Sequence, residues 1–279
     1  MSATRPSPPR DLFDPGDPPP FRVVCEAGRS PFVLICDHAS CVVPARLRSL
    51  GLDQATLQTH IGWDIGAAAV ARLLAHSLDA VLVLQSYSRL VIDCNRPLNS
   101  PASIAPISDT IPIPGNAALT SVEAEQRAAA IFTPYHERIG LELDNRGALQ
   151  RPAVLVSLHS FTPVFQGFVR PWHVGTLYHR DARLARALMS ELRTEPGLVV
   201  GDNEPYAASD TTDFAIPQHG ELRQLLHVGI EIRQDLIDGG TGQQQWAHRL
   251  AIALDRSLES LAGSSHSAPQ GAGVGSRPP

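Results

Sequence analysis

The sequence predicts a three-layer α/β sandwich, with helices covering both faces of a central, mixed and mostly parallel sheet. Three observations carry that expectation. Apolar runs of strand length alternate along the chain with Ala- and Leu-rich segments of helix length. The apolar runs are continuous rather than alternating, as expected of strands buried on both faces. The 279 residues, at 43% hydrophobic composition, supply one sizeable core, and no internal linker or repeat divides it.

Each element follows from its own pattern. Residues 1–20 are dense in proline, which holds neither a helix nor a central strand, so they read as a disordered or extended arm. Phe32–Cys36 (FVLIC) is the first buried strand, and residues 66–78 (GAAAVARLLAHSL) form a helix. Residues 80–84 (AVLVL) are a second strand. Residues 121–143 read as a helix with Ser121 as its N-cap ahead of Glu123 and Glu125. Residues 153–158 (AVLVSL) and 174–178 are further strands. Residues 181–193 are a helix with Leu184, Leu188 and Leu192 on one stripe. Strands at 198–200 and 228–232 and a helix at 244–261 complete a single domain over 21–262. Residues 263–279, rich in Gly, Ser and Pro, read as a flexible tail.

Composition excludes several functions. The net charge of −5 argues against nucleic acid as a partner, because phosphate binding wants a basic face. All 23 cationic residues are Arg, so a Schiff-base lysine and a Walker lysine are both ruled out. No glycine-rich dinucleotide fingerprint follows a strand and no nucleophile elbow is present. Cys25, Cys36, Cys41 and Cys94 form no CxxC pair, which disfavours a zinc knuckle, and Cys36 and Cys94 lie in apolar runs as buried thiols. The N-terminus lacks the apolar stretch of a secretory signal, and no run approaches the roughly 20 apolar residues of a membrane span. A cytoplasmic protein is expected.

The chemistry gathers where strands end. Asp37 and His38 follow FVLIC, His159 and Ser160 follow AVLVSL, and Glu231 interrupts VGIEI. Open α/β sheets bind ligands at the carboxyl ends of their strands. Two such histidines with a carboxylate nearby have the composition of a catalytic zinc site, which uses three protein ligands and leaves one position for water. In segment 60–64 (HIGWD), Asp64 and His60 compete as the third ligand, and Asp64 has the simpler reading of a helix N-cap. Glu231 in an apolar run must be paired, metal-bound or functional. Its partner would be Arg233 or Arg89, and its functional role that of general base. Segment 87–97 (YSRLVIDCNRP) crowds Arg89, Asp93 and Arg96 into apolar surroundings. Arg89 or Arg96 would clamp a substrate carboxylate, with Asn95 adding a hydrogen bond. The bland alternative is an Arg–Asp network pinning a loop. Arg233, on the same strand face as Glu231, joins Arg89, Asp93, Asn95 and Arg96 as a substrate-binding candidate. Segments 201–206 (GDNEPY) and 219–223 (HGELR) are either pocket lining or turn chemistry.

Taken together, DHAS (37–40), HIGWDIGA (60–67), YSRLVIDCNRP (87–97), VSLHSFTP (156–163), GDNEPY (201–206) and IEIRQDLI (230–237) resemble the N-formylglutamate amidohydrolase family across about residues 30–260. The resemblance implies a fold like that of zinc-dependent exopeptidases and cell-wall zinc amidases. It implies His38, Asp64 and His159 as zinc ligands, Glu231 as base, and hydrolysis of N-formyl-L-glutamate to formate and L-glutamate. The donor set would also accept other divalent ions. Another N-acyl amino acid or a peptide-like amide as substrate, and a degenerate member that binds an amino-acid derivative without turnover, are the alternatives.

Overall fold

The computed structural model describes residues 12–266. The expectations for residues 1–11 and 267–279 lie outside the described residues. Seven strands form the main sheet: β1 (Phe21–Val24), β2 (Phe32–Cys36), β3 (Val81–Gln85), β4 (Val154–Phe161), β5 (Val174–Leu177), β6 (Val200–Asp202) and β7 (Leu226–Arg233). Their spatial order is β1-β3-β2-β4-β7-β5-β6. The central four, β3, β2, β4 and β7, run parallel. β1 and β5 pair antiparallel with β3 and β7, and β6 runs parallel to β5. The sheet is therefore mixed and mostly parallel, as the apolar runs predict.

Helices α1 (Ala67–Leu78), α4 (Arg183–Leu192) and α5 (Gly240–His266) cover one face. There Leu34, Leu82, Val156 and Ile230 pack against Val70, Leu74, Leu188 and Leu250. The predicted leucine stripe, Leu184, Leu188 and Leu192, is fully inside this layer. The other face is covered by α2 (Ser121–Arg127), which passes through a π-helical turn at Ala128–Phe132 into α3 (Thr133–Ala148). Tyr135, Ile139 and Leu143 of α3 meet Val33, Ile35, Val83 and Leu155. Leu12 joins this second cluster, and Phe13 stacks on Tyr87 with centroids 5.1 Å apart, so residues 12–13 pack against the domain.

Several boundaries differ from expectation for local reasons. The helix after residue 120 is capped by Thr120, not Ser121: Thr120 Oγ1 accepts from the Glu123 N–H, and Glu123 Oε2 accepts from the Thr120 N–H at 2.9 Å. This capping box satisfies two orphan donors. The helical run reaches Ala148, and the widened turn sits just ahead of Pro134, which has no N–H to give. The strand expected at 198–200 begins at Val200 instead, because the Leu198 N–H is still bonded to Glu195 O at 3.3 Å in the turn after α4. α5 continues beyond the point where a tail was expected. Hairpins Ile107–Ser108/Ile111–Pro112 and Val164–Phe165/Phe168–Val169, too short to register as periodicity, flank the site described below.

Candidate metal centre

Side chains two apart on a strand share a face. On the face toward α3, three central strands change character as they approach their carboxyl ends. β2 runs Val33, Ile35 and on to Asp37; β4 runs Leu155, Ser157, His159; β7 runs Gly229, Glu231. The register places Ile35 beside Ser157, Ser157 beside Gly229, and His159 beside Glu231. Apolar pairs build the core and polar pairs build a site one or two residues further on.

His38, Asp64 and His159 meet there, each offering a ligand atom, all within 4.8 Å of one another and all buried. Asp64 Oδ2 lies 3.2 Å from His38 Nδ1 and 2.9 Å from His159 Nδ1. Asp64 is not the N-cap of α1. That position is Gly66, in the left-handed region at φ 80, where a Cβ would lie 2.2 Å from Ile237 O. The tight turn frees the Asp64 carboxylate to swing toward the strand ends, where Ser160 N and Arg89 Nη1 also donate to it. His60 is not part of the cluster: its Nε2 pairs with Asp109 Oδ2 at 3.0 Å on the cavity wall.

The outer nitrogens of both rings are tied to carboxylates. His38 Nε2 meets Asp93 Oδ1 at 2.7 Å. Ser157 Oγ donates to Asp37 Oδ2 at 3.2 Å, so it accepts from His159 Nε2 at 2.9 Å, and Tyr135 Oη donates to Asp37 Oδ1 at 2.7 Å. Each imidazole therefore has Nε2 as its N–H and presents Nδ1 inward. Metal-binding histidines are oriented in this way by carboxylates behind them. The electrostatics agree. Burial and Arg89 would lower the His38 pKa, but Asp93 and Asp64 outweigh them and raise it. Burial opposes a charge on His159 too, yet Asp37 and Asp64 hold its pKa well above the usual value. Burial would raise Asp37, but His159 and His38 bring it down to about 2. Surroundings that favour protons on two buried imidazoles also favour a divalent cation. Two imidazoles and one carboxylate suit zinc.

Glu231 lies beside this cluster with 6% exposure, and its Oε2 has no hydrogen-bond partner among the described residues. Burial, with Asp64 adding, pushes its pKa up to about 7 against the pull of His159, His38 and Arg89. No ion pair to Arg233 forms. Arg233, the last residue of the strand, turns its guanidinium to Asp235 at 2.8 Å in the 3-10 turn that follows and does not line the cavity.

A cavity of about 470 Å³ opens over these groups, lined among others by Arg89, Arg96, Tyr206 and Glu231. Arg89 is committed to Asp93 at 2.8 Å and to Asp64 at 3.4 Å. Arg96 bonds only carbonyls, those of Asn95 and Thr212, and has no carboxylate within ion-pair distance among the described residues. Asn95 reaches the cavity wall, but its amide is occupied: Oδ1 accepts from Phe214 N and Ala215 N, and Nδ2 donates to Asp213. Asp93 likewise serves His38 and Arg89. Sequence reasoning gave Asp37 no role, although its place next to His38 at a strand end was the available signal. Segment 219–223 is structural: His219 pairs with His136 and Glu221 with Arg180.

No significant match occurs among curated proteins. A gene product from Agrobacterium tumefaciens of known crystal structure is 37% identical, with a TM-score of 0.87 over 90% of this chain and 99% of that one. The structure of N-formylglutamate amidohydrolase from Ralstonia eutropha is 22% identical, with a TM-score of 0.54 over 88% of this chain and 99% of that one, which is a likeness of fold. The model of the N-formylglutamate amidohydrolase family matches residues 30–238, and the chain belongs to that family of amide hydrolases.

Proposed function

We propose that the protein is a zinc-dependent hydrolase that cleaves N-formyl-L-glutamate to formate and L-glutamate. The observation that carries this reading is the convergence of His38, Asp64 and His159, with both outer imidazole nitrogens tied off behind them and a buried, unpartnered Glu231 alongside. Inward-facing Nδ1 atoms and the Asp64 carboxylate would hold the ion. A divalent ion there supplies Lewis acidity, polarising the amide carbonyl and acidifying a water.

The rest falls to side chains. Glu231, poised near neutrality, takes a proton from the attacking water and returns it to the departing amine. Arg96, the lining guanidinium with only carbonyl partners, binds a substrate carboxylate by its fork. Arg89 stays with Asp64 and Asp93 and fixes their orientation. Such a reaction belongs to amino-acid degradation, and four free cysteines fit a reducing compartment such as the cytoplasm. Among the described residues no helix is long and apolar enough to cross a membrane.

The test is metal analysis of the purified protein with a formate-release assay on N-formyl-L-glutamate, before and after chelation. Stoichiometric zinc and chelator-sensitive release are expected. Zinc without formate release would move the substrate to another N-acyl amino acid. Failure to take up metal under any loading condition would overturn the catalytic reading and leave binding without turnover.

A further inference from the structure

Segment 201–206 lies against β5, the neighbour of the strand that carries Glu231. Gly175 of β5 is the register partner of Glu231, and a Cβ at Gly175 would sit 1.7 Å from the carbonyl oxygen of Glu204. That carbonyl occupies the space a side chain would need, and the close approach brings Tyr206 to the cavity wall. Behind Tyr206 is Arg170, which is 5% exposed and has no carboxylate within ion-pair distance among the described residues. Its guanidinium lies 4.8 Å from the ring centre of Phe165, 4.9 Å from that of Tyr206 and 5.7 Å from that of Phe161. Nη2 donates to Tyr206 Oη at 3.0 Å, and Nη1 donates to Thr162 O.

A buried cation without a counter-ion is costly unless something compensates it. Here three aromatic faces do so in part, and the remaining consequence falls on the phenol. Its oxygen already accepts from a positive group, so its own O–H is left to donate and is polarised toward donation. The charged groups acting on the phenol from within the cavity are Glu231 and Arg89. Tyr206 is 44% exposed; the partial burial of its phenol, with Glu231 adding, outweighs the pull of Arg170 and Arg89 and raises its pKa, so it keeps its proton at neutral pH.

On the reading of the site as an N-acyl amino-acid hydrolase, we propose that Tyr206 is a further catalytic residue. Its phenol donates a hydrogen bond to the acyl oxygen of the substrate as negative charge builds there, and Arg170 is the residue that positions it. A donor aimed at developing charge acts mainly on the transition state.

The test compares Tyr206→Phe and Arg170→Gln, singly and together, with the wild-type holoenzyme. Two quantities are read: kcat and KM for formate release from N-formyl-L-glutamate, and calorimetric affinity for the same compound in a Glu231→Gln background. For Tyr206→Phe, kcat is expected to fall about 100-fold, with KM and the calorimetric affinity unchanged within about twofold. Arg170→Gln should lower kcat in the same direction, and the double variant should be no worse than Tyr206→Phe. Unchanged kcat, a loss confined to KM and affinity, or additive losses in the double variant would each overturn the proposal while leaving the function standing. A wild-type protein that takes up no metal under any loading condition would overturn both.

Discussion

Two pairs of buried histidines sit in this protein at nearly the same spacing, 5.0 Å between the rings of His38 and His159 and 5.1 Å between those of His136 and His219. Their surroundings make them opposites. Asp37, Asp64 and Asp93 ring the first pair, and both pKa values are raised. The second pair sits among Phe132, Tyr135 and Phe214. His136 gives its Nε2–H to Cys94 O at 2.8 Å and accepts from His219 Nε2 at 2.9 Å. His219 Nδ1 then has no partner among the described residues. Burial lowers His136 to about 4 and His219 to about 3, with His136 and then Arg223 adding to the fall of His219 and Asp37 opposing both. A buried imidazole is by default a neutral structural group. The placement of carboxylates makes one pair a candidate metal centre and leaves the other as core.

The contrast breaks most sharply if the proposed ligands are removed. His159→Ala is expected to abolish zinc retention and formate release, whereas His219→Gln should keep stoichiometric zinc by metal analysis and lose stability instead. Glu231→Gln should retain zinc and lose turnover by about 100- to 10,000-fold, measured as kcat.

Next in size is the acid response of the second pair. The folded-state pKa of His136, about 4, lies below the ordinary value near 6.5, so between those limits the unfolded chain takes up a proton that the folded one refuses. Stability from this group is full above pH 6.5 and falls as pH drops toward 4, by about 3 kcal/mol. Urea unfolding of His136→Gln, which keeps a donor and an acceptor but does not titrate, should show a correspondingly shallower loss between pH 6.5 and 4. Smallest is the support behind the first pair. Asp93→Asn should weaken zinc about 10- to 100-fold in a competition titration without unfolding the protein.

What the sequence made legible follows the same physics. Continuous apolar runs gave the buried strands, and the polar residues that end them gave His38, His159 and Glu231 a common edge. Asp64 was ambiguous because a carboxylate before a helix has a simpler use as a cap. The left-handed Gly66 settles where that carboxylate points, and nothing in residue spacing reveals it. Arg233 ends β7 with the parity expected of it, but a long side chain is free to turn, and its guanidinium goes to Asp235, which strand parity does not reveal. Asn95 bonds residues some 118 to 120 positions away, a distance at which side-chain identity carries no information. Asp37 and Arg170 act through His159 and Tyr206, so their roles appear only once the strands and the loop are packed together.

Strand order also sets how this protein emerges during synthesis. β5 and β6 are made before β7, yet they join the sheet only through it, since β7 lies between β4 and β5. Until residues 226–233 leave the ribosome, β4 presents an open parallel edge and the β5–β6 ribbon has no sheet to join. Such an edge is a template for pairing with other chains. Glu231 arrives on the strand that closes the gap, so the nascent chain holds neither a complete sheet nor the full candidate site until both form in the same step. A chain stopped short of β7 would be prone to aggregate and would lack the proposed base.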